Sequence, residues 1–275
     1  MTFGQRLRTV MTARGPLCAG IDPHPALMDQ WGLTDSAFGL EKFAMTAVEA
    51  LAGTVAAIKP QSAFFERHGA QGVAVLERVV AGARELGALV ILDGKRGDIG
   101  STAQAYADAY LDQTAPLAVD ALTVNPFLGF GSLEPMLDTA ERNDAGVFVL
   151  ALTSNPEGPQ VQHARTEDGR TVAGTILDAI ATRNVDAEGL GSVGAVVGAT
   201  IGETGENLDV NGPLLVPGVG AQGGTPADVR RIFGRAVHNV LISSSREILD
   251  SGPDRATLRS SAEELVERFA ALVDA

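Results

Sequence analysis

One cysteine stands among 275 residues, so no internal disulfide can form and a disulfide-stapled secreted scaffold is excluded. Cys18 lies in an apolar stretch, where a thiol is expected to be an inert core group and not a nucleophile. No apolar run approaches the roughly 20 residues needed to span a bilayer. The start, Met1 to Arg6, lacks the basic-then-apolar pattern and small-residue cleavage site of a signal peptide. A reducing, cytoplasmic setting is the resulting expectation. Cations are the minority: 21 Lys and Arg against 34 Asp and Glu give a net charge of −13. That balance argues against nucleic acid and anionic membrane as partners. An anionic ligand must then be held by a local positive site against the global field. Low-complexity tracts, long linkers, charge blocks and close internal repeats are all missing. With 45% hydrophobic residues and a mean hydropathy of +0.12, the chain can bury a sizeable core, and one domain over 1–275 is expected.

Short apolar runs alternating with amphipathic stretches are what the sequence does contain. Strands are predicted at 17–21, 55–58, 88–92, 121–124, 146–152, 193–197, 214–216 and 239–242. Helices are predicted between them at 37–51, 72–86, 101–110, 132–139, 172–183, 227–233 and 258–272. Thr225-Pro226 supplies an N-cap followed by proline at the first helical position. Eight strands alternating with helices predict a parallel sheet, and eight is the number that closes a (β/α)8 TIM barrel. An open doubly wound sheet is the alternative. Its dinucleotide fingerprint is absent after the first strand, where Gly20-Ile21-Asp22-Pro23-His24 stands.

The densest charge lies in Leu92-Asp93-Gly94-Lys95-Arg96-Gly97-Asp98-Ile99-Gly100-Ser101-Thr102, where a buried strand gives way to a helix. Asp93 and Lys95 are two apart, so an extended chain would put them on one face. Desolvating an acid and an amine is costly unless they pair, and a structural ion pair is the plainest reading. In a barrel, however, functional groups gather where strands end. Those positions are Asp22 after the first strand, Lys59 after the second, Asp93, Lys95 and Asp98 after the third, and Thr123 and Asn125 after the fourth. Thr153, Ser154 and Asn155 follow the fifth. Pro217-Gly218-Val219-Gly220-Ala221-Gln222-Gly223-Gly224 after the seventh carries four glycines that let backbone N–H groups approach a phosphate. Ser243-Ser244-Ser245-Arg246 after the eighth opens a short helix and adds a bidentate cation.

No metal site is indicated. His24, His68, His163 and His238 are scattered without ligand spacing, and no G-x-S-x-G or Cys/His pair suggests covalent catalysis. The carboxylates of Asp93 and Asp98 favour Lys95 as a fixed ammonium and proton donor over the neutral amine that a Schiff base needs.

The segment Asp93-Gly94-Lys95-Arg96-Gly97-Asp98-Ile99-Gly100-Ser101-Thr102 resembles the D-x-K-x-x-D-I-x-x-T signature of the orotidine 5′-phosphate decarboxylase family. Ala19 to Asp22, Ile58 to Gln61, Thr153 to Pro156, Pro217 to Gly224 and Arg246 resemble the family's first, second, fifth, seventh and eighth strand ends, in order. The form is that of a longer bacterial branch often seen in actinobacteria. The resemblance implies a TIM barrel that converts orotidine 5′-monophosphate (OMP) to UMP without cofactor or metal, the last step of UMP biosynthesis. It implies Lys95 as proton donor to C6, Asp93 beside the departing carboxylate, and Lys59 and Asp98 completing an alternating Lys–Asp–Lys–Asp array. It further implies a homodimer in which Asp98 and Thr102 enter the partner's site. Asp22 and Lys59 would bind ribose and Ser154 the base. Gln222 and Arg246, with Pro217 and Ser245 beside them, would bind the phosphate. Ser245 stands where relatives often have glycine, and the polar segment 157–170 has no assigned role. Magnesium-dependent phosphosugar enzymes that share D-x-K-x-x-D, and an inactive nucleotide-sensing barrel, are the competing readings.

Overall fold

The structure, a computed structural model, describes residues 1–220 and 223–272. Eight parallel strands close into a barrel: β1 Leu17–Ile21, β2 Ala57–Pro60, β3 Leu89–Arg96, β4 Ala121–Val124, β5 Gly146–Leu152, β6 Val193–Val197, β7 Leu214–Pro217 and β8 Val240–Ser244. Each pairs with the next, and β8 returns to β1 through Leu17 opposite Ile242. The runs are apolar almost throughout because both faces of each strand are covered. Alternate residues such as Cys18, Ile91, Ala121, Phe148, Leu215 and Leu241 fill the lumen. The residues between them, such as Ala19, Val90, Leu122, Val149, Val216 and Ile242, pack under the surrounding helices. The closed barrel is the expected one.

Four strands run further than the apolar pattern predicts. Pairing continues through Lys59 and Pro60 on β2, through Arg96 on β3, through Pro217 on β7, and through Ser243 and Ser244 on β8. A run of hydrophobic residues stops where the lumen meets the rim, but backbone pairing does not. The polar ends therefore stand on rigid strand rather than on loop.

A helix that the sequence reading missed, Phe3–Arg14, closes the opposite end of the barrel. Thr2 and Gln5 form a capping box, and Phe3, Leu7 and Met11 face one way at four-residue spacing and are fully buried. Phe3 meets Phe148 edge to face at 6.0 Å between centroids. With the bottom plugged, access to the lumen is left to the rim at the C-terminal ends of the strands. The Thr225 cap is realised as a capping box with Asp228. The helix expected at 132–139 lies at Glu134–Arg142, after a 3-10 turn at Phe130–Leu133. Among the described residues no helix is long and apolar enough to cross a membrane.

Candidate active site

Asp93 is the centre of the rim. Its Oδ2 accepts hydrogen bonds from Lys59 Nζ and Gln61 Nε2, both at 3.0 Å. Its Oδ1 accepts from Lys95 Nζ at 2.6 Å and from Thr123 Oγ1 at 2.9 Å. Four donors thus occupy a carboxylate that can accept about four hydrogen bonds. Lys59 is 7% and Asp93 8% exposed, so the pair is charge-compensated inside the protein. Burial alone would raise the Asp93 carboxyl, but the Lys59 and Lys95 ammonium groups outweigh it and hold the group well below the usual carboxylate range. Burial would likewise lower Lys59, but Asp93 and Asp22 outweigh it and hold that ammonium above its ordinary value. For the depressed acid, the stability contribution is present above its unfolded pKa and is lost only in strong acid. For the raised base, it is present below its unfolded pKa and is lost only in strong alkali. Between about pH 5 and 9 the pair is therefore expected to add no ionisation to a pH–rate profile. A kinetic pKa inside that window that vanishes in Asp93→Asn would contradict this.

Lys95 departs from the expected extended chain. Its φ is +43°, in the left-handed region, and β3 bulges at this point. Leu92 pairs with Leu122 and Arg96 with Val124, so four steps along β3 match two along β4. Lys95 and Asp93 still meet, but through the bulge and not through the pleat.

The other charges of the segment separate. Arg96 turns to the outer helices, where it binds Glu66 and Tyr110 and lies over the rings of Tyr106 and Tyr110. Its role is structural. Asp98 accepts from the backbone N–H of Ile99 at 2.8 Å and makes no ion pair with Lys59 or Lys95. Thr102 is exposed on the first turn of helix Gly100–Tyr110. Within one chain the array therefore has three members, Lys59, Asp93 and Lys95.

Two cavities meet at this array. The first, of 210 Å³, is polar: Asp22, His24, Lys59, Gln61 and Asp93 face Pro217–Val219 and Ser243–Arg246 across it. The loops after β7 and β8 thus converge as expected. Among the described residues no carboxylate lies within ion-pair distance of Arg246, and Asp22 Oδ1 and Ser245 Oγ are buried without partners. A ligand or an ordered water would complete their hydrogen bonds. Ser245 needs no glycine, because its φ of −130° is open to any residue. Its side chain occupies room that Gly20 leaves: a Cβ at position 20 would come within 2.8 Å of Ser245 Cβ. The expected contact from Gln222 lies outside the described residues. The second cavity, of 720 Å³, is lined by Lys95, Phe127, Phe130, Leu150, Val161 and Ile176 among others, and is largely apolar. One wall is the segment 157–170, which carries a short helix, Pro159–Gln162. Gln162 fixes that wall by accepting from Thr153 N at 3.0 Å and donating to Thr153 Oγ1 at 2.6 Å. Ser154 is exposed at the end of β5 and lines neither cavity; Thr153 and Asn155 line the second.

Gln61, Thr123 and His24 belong to the site without having been singled out for roles. Gln61 and Thr123 stand at strand ends that the sequence points to, but nothing in their residue types tells what each would contact. His24 packs against Phe64 at 4.3 Å between ring centroids, a contact no sequence spacing reveals. Cys18 is inert as expected: burial pushes its thiol up to about 12.

The model of the family described as orotidine 5′-phosphate decarboxylase / HUMPS family matches residues 15–261 of the chain. An orotidine 5′-phosphate decarboxylase from a Nocardioides species is 64% identical over 250 residues, covering 90% of this chain and 91% of that one. Its counterpart from Salinispora arenicola is 59% identical over 266 residues, 96% of each chain. A crystal structure from Streptomyces avermitilis superposes with a TM-score of 0.97 at 57% identity, covering 100% of this chain and 96% of that chain. Leishmania donovani OMP decarboxylase superposes with a TM-score of 0.79 at 31% identity over the whole of both chains.

Proposed function

This chain belongs to the orotidine 5′-phosphate decarboxylase / HUMPS family, and from that premise we propose that it decarboxylates OMP to UMP and CO2 without a cofactor. The observation that carries this reading is the Lys59–Asp93–Lys95 array at the junction of a polar cavity and an apolar one. A nucleotide has the same two halves. Its phosphate and ribose suit Arg246, the β7 and β8 loops and the unpartnered Asp22 oxygen. Its base suits the cavity that holds the Lys95 ammonium.

Breaking the bond between C6 and the carboxylate leaves an electron pair on C6 with no adjacent sink. An ammonium fixed at that carbon stabilises the pair and then delivers its proton to form C6–H. The neutral lysine is reprotonated from solvent. Asp93 is held anionic beside the substrate carboxylate, and their repulsion falls as CO2 leaves. Binding energy from the distant phosphate offsets the cost of bringing these charges together.

Asp93 bears on the choice among family activities. Its oxygens are occupied by two ammonium groups, an amide and a hydroxyl, an arrangement suited to a fixed anion and ill suited to a metal ligand. Purified protein should lower the ultraviolet absorbance of OMP with and without a chelator. Strict magnesium dependence would move the assignment to the phosphosugar branch, and tight binding of 5′-nucleotides without turnover would make the chain a sensor.

We further propose a homodimer in which Asp98 and Thr102 complete the partner's site. Three features support it: Asp98 is free of the array in its own chain, and Ile99 and Phe127 are 63% and 72% exposed on the same rim. The segments carrying them touch, since a Cβ at Gly97 would meet the backbone of Asn125.

Arg246→Ala is expected to raise KM for OMP by about 10- to 100-fold, as loss of a charge-assisted contact worth about 1.5–3 kcal/mol predicts. Binding of the nucleoside orotidine, which has no phosphate, should be unchanged. An equal loss for both ligands would show that Arg246 does not hold the phosphate.

A further inference from the structure

The bulge in β3 removes a stretch of backbone ladder opposite β4. Between the pairs Leu92–Leu122 and Arg96–Val124, Asp93, Gly94 and Lys95 face the single residue Thr123. A residue that leaves the ladder strands its N–H, and a buried or half-buried N–H without a partner is costly. At Lys95 the partner is a side chain: the backbone N–H donates to Thr123 Oγ1 at 3.0 Å. The same hydroxyl donates its own hydrogen to Asp93 Oδ1 at 2.9 Å. Thr123 is 1% exposed, and these two bonds use its single hydrogen and one lone pair.

We propose that Thr123 is a positioning residue: its hydroxyl ties the bulged backbone of Lys95 to the carboxylate of Asp93 and so fixes the ammonium on C6. Lys95 sits at a φ of +43°, a conformation that a non-glycine residue keeps only when its surroundings impose it. The lysine side chain is long and 46% exposed, so its own packing fixes little. What remains to fix it is its anchorage at two points, the N–H on Thr123 and the Nζ on Asp93. Both anchors converge on one hydroxyl-linked unit. Threonine also suits the strand: its β-branch favours extended backbone and its methyl fills lumen space. Valine would meet both of those needs, so the hydroxyl is the feature that the geometry around Lys95 uses.

This inference rests on the decarboxylase reading, and its test separates the two. Thr123→Val keeps the shape and removes the hydroxyl. Its kcat for OMP should fall by about 10- to 100-fold, the cost of a lost charge-assisted hydrogen bond, while KM stays within about threefold because the phosphate and ribose contacts lie on other strands. Thr123→Ser restores the hydroxyl and should return kcat to within about fivefold of the parent. Amide hydrogen exchange supplies a readout that packing alone would not move: the Lys95 N–H should be protected in the parent and in Thr123→Ser, and should lose protection in Thr123→Val. Thr123→Ala replaces the valine variant in the comparison if the latter does not fold. A valine variant within about twofold of the parent, a serine variant as slow as the valine one, or Lys95 exchange that ignores the hydroxyl would each overturn the proposal. If the parent itself turns over no OMP, the decarboxylase reading fails, and the exchange comparison alone decides whether Thr123 positions Lys95.

Discussion

Lys95→Ala is expected to lower kcat for OMP by at least about 10³-fold while the barrel stays folded. Two functions are lost together, the fixed positive charge at C6 and the proton that quenches the electron pair. The fold should tolerate the change for three reasons visible in the structure. The lysine side chain is 46% exposed, so little packing is removed. Asp93 keeps Lys59, Gln61 and Thr123 as partners, so no buried charge is left uncompensated. Alanine at a φ of +43° carries about the same backbone cost, of order 1–2 kcal/mol, as the lysine it replaces. Circular dichroism and thermal melting should match the parent, and the absorbance assay should show almost no turnover. A variant that retains activity within about tenfold of the parent would remove Lys95 from the proton-donor role.

Asp98→Ala is the second large effect, and its interpretation depends on the dimer. Among the described residues of one chain this carboxylate holds only the N–H of Ile99, so removing it should cost the monomer fold little. If it enters the neighbouring site, the partner loses the fourth charge of its array, and kcat should fall by about 10²-fold or more. The decisive experiment mixes Lys95→Ala with Asp98→Ala under conditions where subunits exchange. Each mixed dimer then has one site built from the intact Lys95 of one chain and the intact Asp98 of the other. Random pairing makes about half the dimers mixed, each with one good site of two, so activity should recover to about one quarter of the parental value. A mixture that stays inactive despite demonstrated exchange would place Asp98 outside the partner's site and refute the shared arrangement.

The site was only partly legible from residue types. Asp93, Lys95 and Lys59 announced themselves because charge at the end of an apolar run is costly and therefore conspicuous. Arg96, in the same charged segment, turns outward to Glu66 and two tyrosine rings. Ser154, for which the resemblance implies a base contact, is exposed at the end of β5, and Thr153 and Asn155 beside it line the apolar cavity. Gln61 lies in the second strand-end motif and Thr123 at the fourth strand end, but neither carries a charge that marks its role, and each gives Asp93 a hydrogen bond. The segment 157–170, featureless as sequence, is the wall pinned to Thr153 by Gln162.

The sequence by itself determined the alternation of eight strands with helices, which predicts a barrel, and the strand ends at which its chemistry had to gather. It did so because strand and helix periodicity and the cost of buried charge are local properties, readable within a few residues. Its motifs also resemble those of the family to which the chain belongs. The tertiary structure alone decided which neighbours in sequence become neighbours in space. It curled β3 through a bulge, so that Lys95 reaches Asp93 against its own left-handed backbone. It also brought Lys59 and Gln61 from β2 and its end, and Thr123 from β4, onto one carboxylate, and it turned Asp98 away. Those outcomes depend on register between strands and on closure of the barrel, to which side chains far apart along the chain all contribute.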